Sequence, residues 1–361
     1  MSKIDHLIGK KTTVQQLASW CEKAMIKSGL KESDAAIAAD VFISADTRGI
    51  FSHGSRQIFP LMKNVKSGRI DSKAVPVVAC DRISSAIIDG QNAMPTTIAV
   101  EAMKLAIEKA QKTGIAYVGV RNSNHIGALG YYSLLAAEKG LIGLAMTNSN
   151  PWMTVPGGKG PIMGTNPISY AIPTGSDKPI FLDIATSSVA VTPILMLKAL
   201  GKKLPEKWLV DENGIPTDDP AEFPEKGALL PMAMHKGYGL ALLVETLCAM
   251  LSGSAFLSGI SDWLADTKNP VNQGQAFIAL DIAGILPKEE FFRNLRKMTD
   301  EIQNAPKAGN TEKILLPGDI EHEKRAKAFS QGLFLPDYVL VNLYGLAEST
   351  ADIEGFNSIF I

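Results

Sequence analysis

With 361 residues, 46% apolar and 20% charged, the chain is long enough for one large domain or two ordinary ones and has the composition of a globular protein with a real core. Its 36 basic and 37 acidic side chains give a net charge of −1, so no global field favours nucleic acid or anionic lipid. Cys21, Cys80 and Cys248 lie far apart without a C-x-x-C pair, which speaks against a disulfide framework or zinc knuckle and predicts three small apolar core residues.

The N-terminus carries Lys3, Lys10 and Lys11 but no apolar h-region, so no signal peptide is expected and the cytoplasm is the expected compartment. Thr13 and Gln16 have capping-box spacing ahead of the stripe Val14, Leu17, Cys21, Ala24 and Leu30, which predicts a first helix ended by Gly29. A second helix is predicted over Glu32–Arg48, stopped by Gly49, and a third over Ser55–Lys66, stopped by Gly68.

From Val77 to Ile282 the pattern alternates. Strands are predicted at Ile115–Val120, Ile142–Met146, Ile168–Ile172, Ile180–Ile184 and Ala276–Ile282, each bounded by Gly, Pro or Asn. Helices are predicted between them at Thr97–Thr113, Leu129–Lys139 and Val189–Leu200, and then at Gly237–Leu251. The most apolar run, Leu240 to Leu251, contains Glu245 and spans 12 residues, short of the about 20 that cross a bilayer, so it predicts a buried helix. Helices return at Lys288–Asn304, Ile320–Gln331 and Pro336–Ala347. The expected architecture is α/β, with a core over 76–285 flanked by a helical domain built from 1–75 and completed by 286–361.

Only five histidines are present, and two of them sit between glycines or beside polar turns, in Ser52-His53-Gly54 and Asn122-Ser123-Asn124-His125-Ile126-Gly127. Imidazole titrates near neutral pH and exchanges protons at modest cost, so this placement points to acid/base chemistry; a hydrogen-bonded core histidine is the plain alternative for each. His6 and His322 lie in charged contexts and are expected at the surface.

No clean G-x-G-x-x-G follows a strand. Gly158-Lys159-Gly160-Pro161-Ile162-Met163-Gly164 has one residue too many, and Gly237-Tyr238-Gly239 lacks the third glycine, so a standard Rossmann domain is not expected. His235-Lys236-Gly237-Tyr238-Gly239 at a helix start nevertheless has the parts of an anion site: open backbone N–H groups, the positive end of the helix and a lysine. Arg48 closes the second helix, where it either caps the helix or reaches a substrate carboxylate. Asp183 ends a predicted strand, where α/β sites collect, or else caps the helix that follows.

Taken in order, Arg48-Gly49-Ile50-Phe51-Ser52-His53-Gly54, Asn122 to Gly127, Gly164-Thr165-Asn166-Pro167, Asp183-Ile184-Ala185-Thr186-Ser187, Leu204-Pro205 with Asp211-Glu212-Asn213-Gly214, His235 to Gly239 and Leu316-Pro317-Gly318 carry a resemblance. The chain is similar over Leu30 to Gly318 to the malate/L-lactate dehydrogenase family of the non-Rossmann type, which includes ureidoglycolate and sulfolactate dehydrogenases, diketogulonate reductase and cyclic-imine reductases. The resemblance implies an NAD- or NADP-dependent oxidoreductase of small 2-keto/2-hydroxy acids, with cyclic imines as the alternative substrate. It implies a non-Rossmann cofactor-binding core with a mixed or antiparallel sheet, and a homodimer. It also implies that His125, His53 and Arg48 handle proton and substrate, His125 first, while Ser149, Gly164, Thr165, Asn166, Asp183, Ile184, Ala185, Lys236 and Gly318 line the cofactor.

Three positions depart from the family pattern. Thr192-Pro193 stands where relatives usually carry Gly-Lys, Gln57 stands for an arginine, and Asp319 for a glutamate. Two readings outside the favoured class are a metal-dependent hydrolase using His53 and His125, against which no H-x-x-x-H or H-E-x-x-H spacing exists, and a dinucleotide sensor without turnover, motivated by Thr192-Pro193.

Overall fold

The computed structural model describes residues 8–265 and 268–361. The first elements are β1 (Lys10–Thr12), α1 (Val14–Lys27), α2 (Glu32–Thr47) and α3 (Ile58–Ser67). There follow β2 (Val77–Asp81), β3 (Ser85–Asp89), α4 (Pro95–Thr113), β4 (Ile115–Ser123), α5 (Gly130–Glu138), β5 (Leu141–Thr147), β6 (Ile168–Ile172), β7 (Ile180–Ile184) and α6 (Val191–Ala199). Three two-residue strands, β8 (Leu209–Val210), β9 (Pro216–Thr217) and β10 (Ala228–Leu229), precede α7 (His235–Glu245) and β11 (Gln273–Asp281). The chain ends with α8 (Lys288–Gln303), α9 (Asp319–Gln331), β12 (Leu333–Leu335), α10 (Asp337–Ser349) and α11 (Ile353–Ser358).

The Thr13 hydroxyl accepts from the Gln16 N–H at 3.1 Å, so the capping box starts α1 as its spacing predicts. Gly68, at φ +79°, closes α3 in the left-handed conformation that glycine adopts without a Cβ penalty. Leu17, Met25, Phe42 and Leu61 from the N-terminal helices share one apolar core with Leu335, Leu340, Leu343 and Phe356. Antiparallel pairing of β1 with β12 joins the two chain ends.

The central sheet has seven strands in the order β2-β3-β4-β11-β5-β6-β7. Only β3 and β4 run parallel; the remaining neighbours are antiparallel, unlike the parallel sheet of a doubly wound dinucleotide fold. Ile98, Met103 and Ile107 of α4 and Tyr132 of α5 pack with Val118, Val120 and Phe277 of the sheet.

Several expectations are corrected. The run Leu240–Leu251 is not a buried helix: α7 gives way to a π-helical turn over Thr246–Met250, and Leu242, Leu243, Met250 and Leu251 are each about half exposed, at 48–55%. Apolarity records that a surface prefers to be covered, not that the same chain covers it. Cys80 is exposed because β2 forms the edge of the sheet, whereas Cys21 and Cys248 are buried. His322 is half-buried, its Nε2 2.8 Å from the Pro179 carbonyl, and His6 lies outside the described residues. Pro193 does not disturb α6, since it falls in the first turn, where a missing N–H costs no helical bond.

Candidate active site

The edge of the sheet formed by the ends of β4, β5 and β7 and the starts of β6 and β11, as distinct from its edge strands β2 and β7, collects most of the candidates. β4 ends at Ser123 and β5 at Thr147, both beside the start of the antiparallel β11. Ile168 of β6 pairs with Ile184 of β7, which brings Thr165–Asn166 and Asp183–Ala185 to the same edge. A bulge between Gln273 and Gln275 interrupts the β4–β11 ladder here, and both glutamines are buried.

The two imidazoles meet. The His53 and His125 ring centroids are 5.7 Å apart, at 41°. His53 projects from a short 3₁₀ turn after α2, and His125 from the loop between β4 and α5. Ser52 Oγ lies 2.9 Å from His53 Nδ1, and the Gln57 amide donates to the Ser52 carbonyl at 2.6 Å. On its other side His125 is stacked on the Trp263 indole, with centroids 4.3 Å apart and planes within 9°. Burial, with the His53 ring second, lowers the His125 pKa to about 3; burial, with the Arg56 charge second, lowers that of His53 to about 4. Both side chains keep a partial opening to solvent, but the direction is fixed: each ring is neutral at pH 7.

Around His125 several buried polar atoms have no partner among the described residues: His125 Nε2, Asn124 Nδ2, Ser123 Oγ and Gln275 Oε1. The other ends of two of these side chains are engaged. Asn124 Oδ1 accepts from the His125 N–H at 2.7 Å, and Gln275 Nε2 donates to the Asn124 carbonyl at 3.1 Å. Beneath the Ser-His-Gly turn, Asp46 Oδ2 accepts from the Ser55 N–H at 2.9 Å, and a Cβ on Gly54 would strike Asp46 Oδ1. Burial raises the Asp46 pKa to about 7.

The glycine-bearing tracts form an adjoining cradle. Asn166, at φ +29°, accepts from the Ser149 N–H at 3.2 Å, and its Nδ2 donates to Glu245 Oε2 of α7. Glu245 Oε1 also accepts from Asn148 Nδ2 and from the Leu257 N–H, so one buried carboxylate ties β5, β6 and α7 together. The Thr165 N–H donates to Ser149 Oγ, and the Thr165 carbonyl accepts from the Thr186 N–H at 2.9 Å. A Cβ on Gly164 would lie 2.3 Å from the Ser149 carbonyl, and one on Gly237 would lie 2.5–2.6 Å from Thr186 and Met232 backbone atoms. α7 starts there without a side-chain cap, after Ala233 and Met234 at φ +46° and +55°, and Lys236 stands exposed on its first turn.

Three more candidates, and Asp211, are placed as follows. Arg48 caps α2: its Nη1 donates to the Ser44 carbonyl at 3.0 Å and to the Ser44 hydroxyl, with its Cζ 5.9 Å from the Phe181 ring. Its Nε is buried without a partner, and no described contact joins it to either imidazole; the arginine acting on His53 is Arg56. Asp183 does not cap α6; its Oδ2 accepts from the Gly130 N–H at 2.7 Å and so caps α5 from across the sheet edge. Gly318, at φ +96°, begins α9, where a Cβ would lie 2.6 Å from the Phe181 ring. Asp211 is a turn former, with Oδ1 accepting from the Asn213 and Ile215 N–H groups.

Asn124, Gln275, Arg56, Glu245 and Trp263 were not singled out from the sequence. Three carry a signal: Asn124 lies within the Asn122–Gly127 tract, Arg56 adjoins Gln57, and Glu245 is the one charge within the apolar run Leu240–Leu251.

Among known proteins, the model of the malate/L-lactate dehydrogenase family matches residues 12–344. The chain is 39% identical to a malate dehydrogenase of Pyrococcus abyssi over 311 residues, covering 84% of this chain and 85% of the relative. It is 40% identical to an L-sulfolactate dehydrogenase of Methanocaldococcus jannaschii over 301 residues, covering 83% and 86%. The solved structure of a malate dehydrogenase from Pyrococcus horikoshii OT3 superimposes with a TM-score of 0.86 at 33% identity, covering 97% of this chain and 98% of that one. With the two imidazoles and the glycine tracts gathered at one edge of a mixed sheet, and a family match spanning nearly the whole length, the chain belongs to the malate/L-lactate dehydrogenase family.

Proposed function

We propose that the chain is an NAD- or NADP-dependent oxidoreductase that interconverts small 2-oxo and 2-hydroxy acids, with His125 exchanging the proton at the substrate oxygen. The observation that carries this reading is the His125 ring at the sheet edge, its Nε2 buried and unpartnered beside the equally unpartnered Asn124 Nδ2 and Gln275 Oε1. Each such atom costs about 1–3 kcal/mol when left unpaired; a substrate hydroxyl can donate to His125 Nε2, and a substrate carbonyl or carboxylate oxygen can accept from Asn124 Nδ2.

His125, neutral at pH 7, accepts the hydroxyl proton in oxidation and returns it to the carbonyl oxygen in reduction, a contribution of about 10²–10⁴-fold. His53, held by Ser52, is the second proton-handling group. The substrate carboxylate takes its counter-charge from Arg56, three residues after His53, with Arg48, whose Nε is buried and unpartnered, as the second arginine. Asn124 Nδ2, a free donor, orients the substrate oxygen, and Gln275 steadies the Asn124 backbone through its carbonyl.

The adjoining cradle suits a dinucleotide. Its glycines bring backbone close, the start of α7 offers uncapped N–H groups, and Lys236 adds a cation. Ser149, Gly164, Thr165, Asn166, Ile184, Ala185 and Lys236 would line it, while Asp183 and Gly318 shape it through α5 and Phe181. When bound, the nicotinamide supplies or accepts the hydride at the substrate carbon.

The exposed leucines of α7 and the π-helical turn fit an interface between two copies of the chain, since apolar patches of this kind mark association surfaces. Three free cysteines fit a reducing cytoplasm. The test is absorbance-followed oxidation of NADH and of NADPH with a panel of 2-oxo acids and cyclic imines. Turnover of an oxo acid supports the reading, reduction of a cyclic imine in preference to every oxo acid moves the assignment to the imine branch, and no turnover with either cofactor refutes it.

A further inference from the structure

The segment Phe51–Ile70 does two things at once. Its first turn presents His53, and its end, just past Gly68, places the buried Arg69 against residues 262–265 and Asn269. Arg69 Nε donates to the Asn269 carbonyl at 2.9 Å, Nη1 to those of Ala265 at 2.9 Å and Trp263 at 3.2 Å, and Nη2 to that of Asp262 at 2.8 Å. Asn64 of α3 adds a further bond to the Trp263 carbonyl at 2.9 Å. A guanidinium buried on four backbone carbonyls holds a chain segment in place through its planar fork, in a way a lysine does not reproduce.

What that grip delivers is the indole of Trp263, stacked face to face on His125. His125 is thereby flanked by Trp263 on one face and His53 on another side, while its Nε2 remains free. Resting on the reading of His125 given above, we propose that Trp263 is a positioning residue that fixes the plane of the catalytic imidazole and walls it from water, and that Arg69 is the residue that clamps Trp263 there. Neither gives or takes the proton. Their effect is on where Nε2 points, and an ångström-scale misplacement of a catalytic group costs about 10²-fold in rate.

Two measurements test this on the full chain, with Trp263→Ala, Trp263→Phe and Arg69→Met. The first needs no turnover: the His125 ring protons, assigned by NMR through their loss in His125→Ala, lie in the ring current of the indole. They should shift downfield in Trp263→Ala and in Arg69→Met, and remain near their original position in Trp263→Phe. Unmoved His125 signals in Trp263→Ala overturn the stacking and the proposal with it. The second is kinetic. In Trp263→Ala, kcat should fall about 10²-fold with the KM for reduced dinucleotide unchanged, and Trp263→Phe should recover most of the rate. Wild-type kcat in Trp263→Ala overturns the proposal. If the wild-type protein itself turns over no substrate, the functional reading fails, and the NMR shift alone decides whether Trp263 positions His125.

Discussion

Replacing Asp46 by Asn should expose a pH dependence of stability that the native protein conceals. The two site histidines are neutral in the fold, with pKa values lowered by burial to about 4 for His53 and about 3 for His125. On acidification from about pH 6.5 the unfolded chain takes up two protons that the folded one refuses, so these groups cost stability as pH falls, about 1.4 kcal/mol per pH unit each. Two carboxyls act in the opposite sense. Burial raises Asp46 to about 7 and Asp183 to about 6, so between those values and the ordinary carboxyl range near 3.9 the folded state holds protons that the unfolded state lacks. Near pH 5 the two histidines and the two carboxyls nearly cancel. Asp46→Asn removes one carboxyl of the pair without changing its shape. Relative to wild type, the variant should therefore lose about 1.4 kcal/mol per unit as pH falls from about 6.5 to 4.5, approaching a total of about 4 kcal/mol across the full span of the shift. Urea unfolding of both proteins at several pH values measures the difference. Parallel stability profiles for the two would refute the reasoning, because they would mean that Asp46 is ionised in the fold.

Other outcomes follow from the same geometry. Gly237→Ala drives a Cβ to within 2.5–2.6 Å of Thr186 and Met232 backbone atoms, which cannot swing aside; dinucleotide affinity measured by fluorescence titration should fall at least 10-fold, and unchanged affinity would remove this turn from the cofactor site. Arg56→Met should raise the KM for the oxo acid by about 10-fold or more, and by more than Arg48→Met does, since Arg48 is occupied with Ser44; the reverse order would return the carboxylate to Arg48. Leu242→Glu with Leu243→Glu places two charges on the exposed face of α7 and should convert a dimer to monomer in sedimentation, whereas an unaltered sedimentation profile would remove this face from the interface.

Much of this molecule is legible in its residues. The helices of the first 68 residues announce themselves through Thr13, Gly29 and Gly68, and β6 and β7 end where Ile168–Ile172 and Ile180–Ile184 predict. β2 and β3 are not delimited by the pattern, since Val77–Asp81 is exposed at every position and Ser85–Asp89 begins and ends on polar residues, and the two-residue strands β8, β9 and β10 are too brief for any periodicity. The ordered motifs single out His53 and His125, and their meeting depends on a 72-residue separation that no local rule spans. The functions of polar groups were harder to read. Asp183 caps a helix 53 residues earlier in the chain, and Arg48 is spent on its own helix end, because a charged side chain takes whichever partner the tertiary fold brings to it. Trp263 has no sequence signature at all, since its stacking is set by Arg69, 194 residues away.

The most direct test of the central claim compares wild type with His125→Ala and His53→Ala, measuring dinucleotide binding and turnover on the same preparations. Loss of His125 should leave binding within a few-fold of wild type while turnover drops about 10²–10⁴-fold, with His53→Ala the milder of the two. Near-normal turnover in His125→Ala would contradict the account.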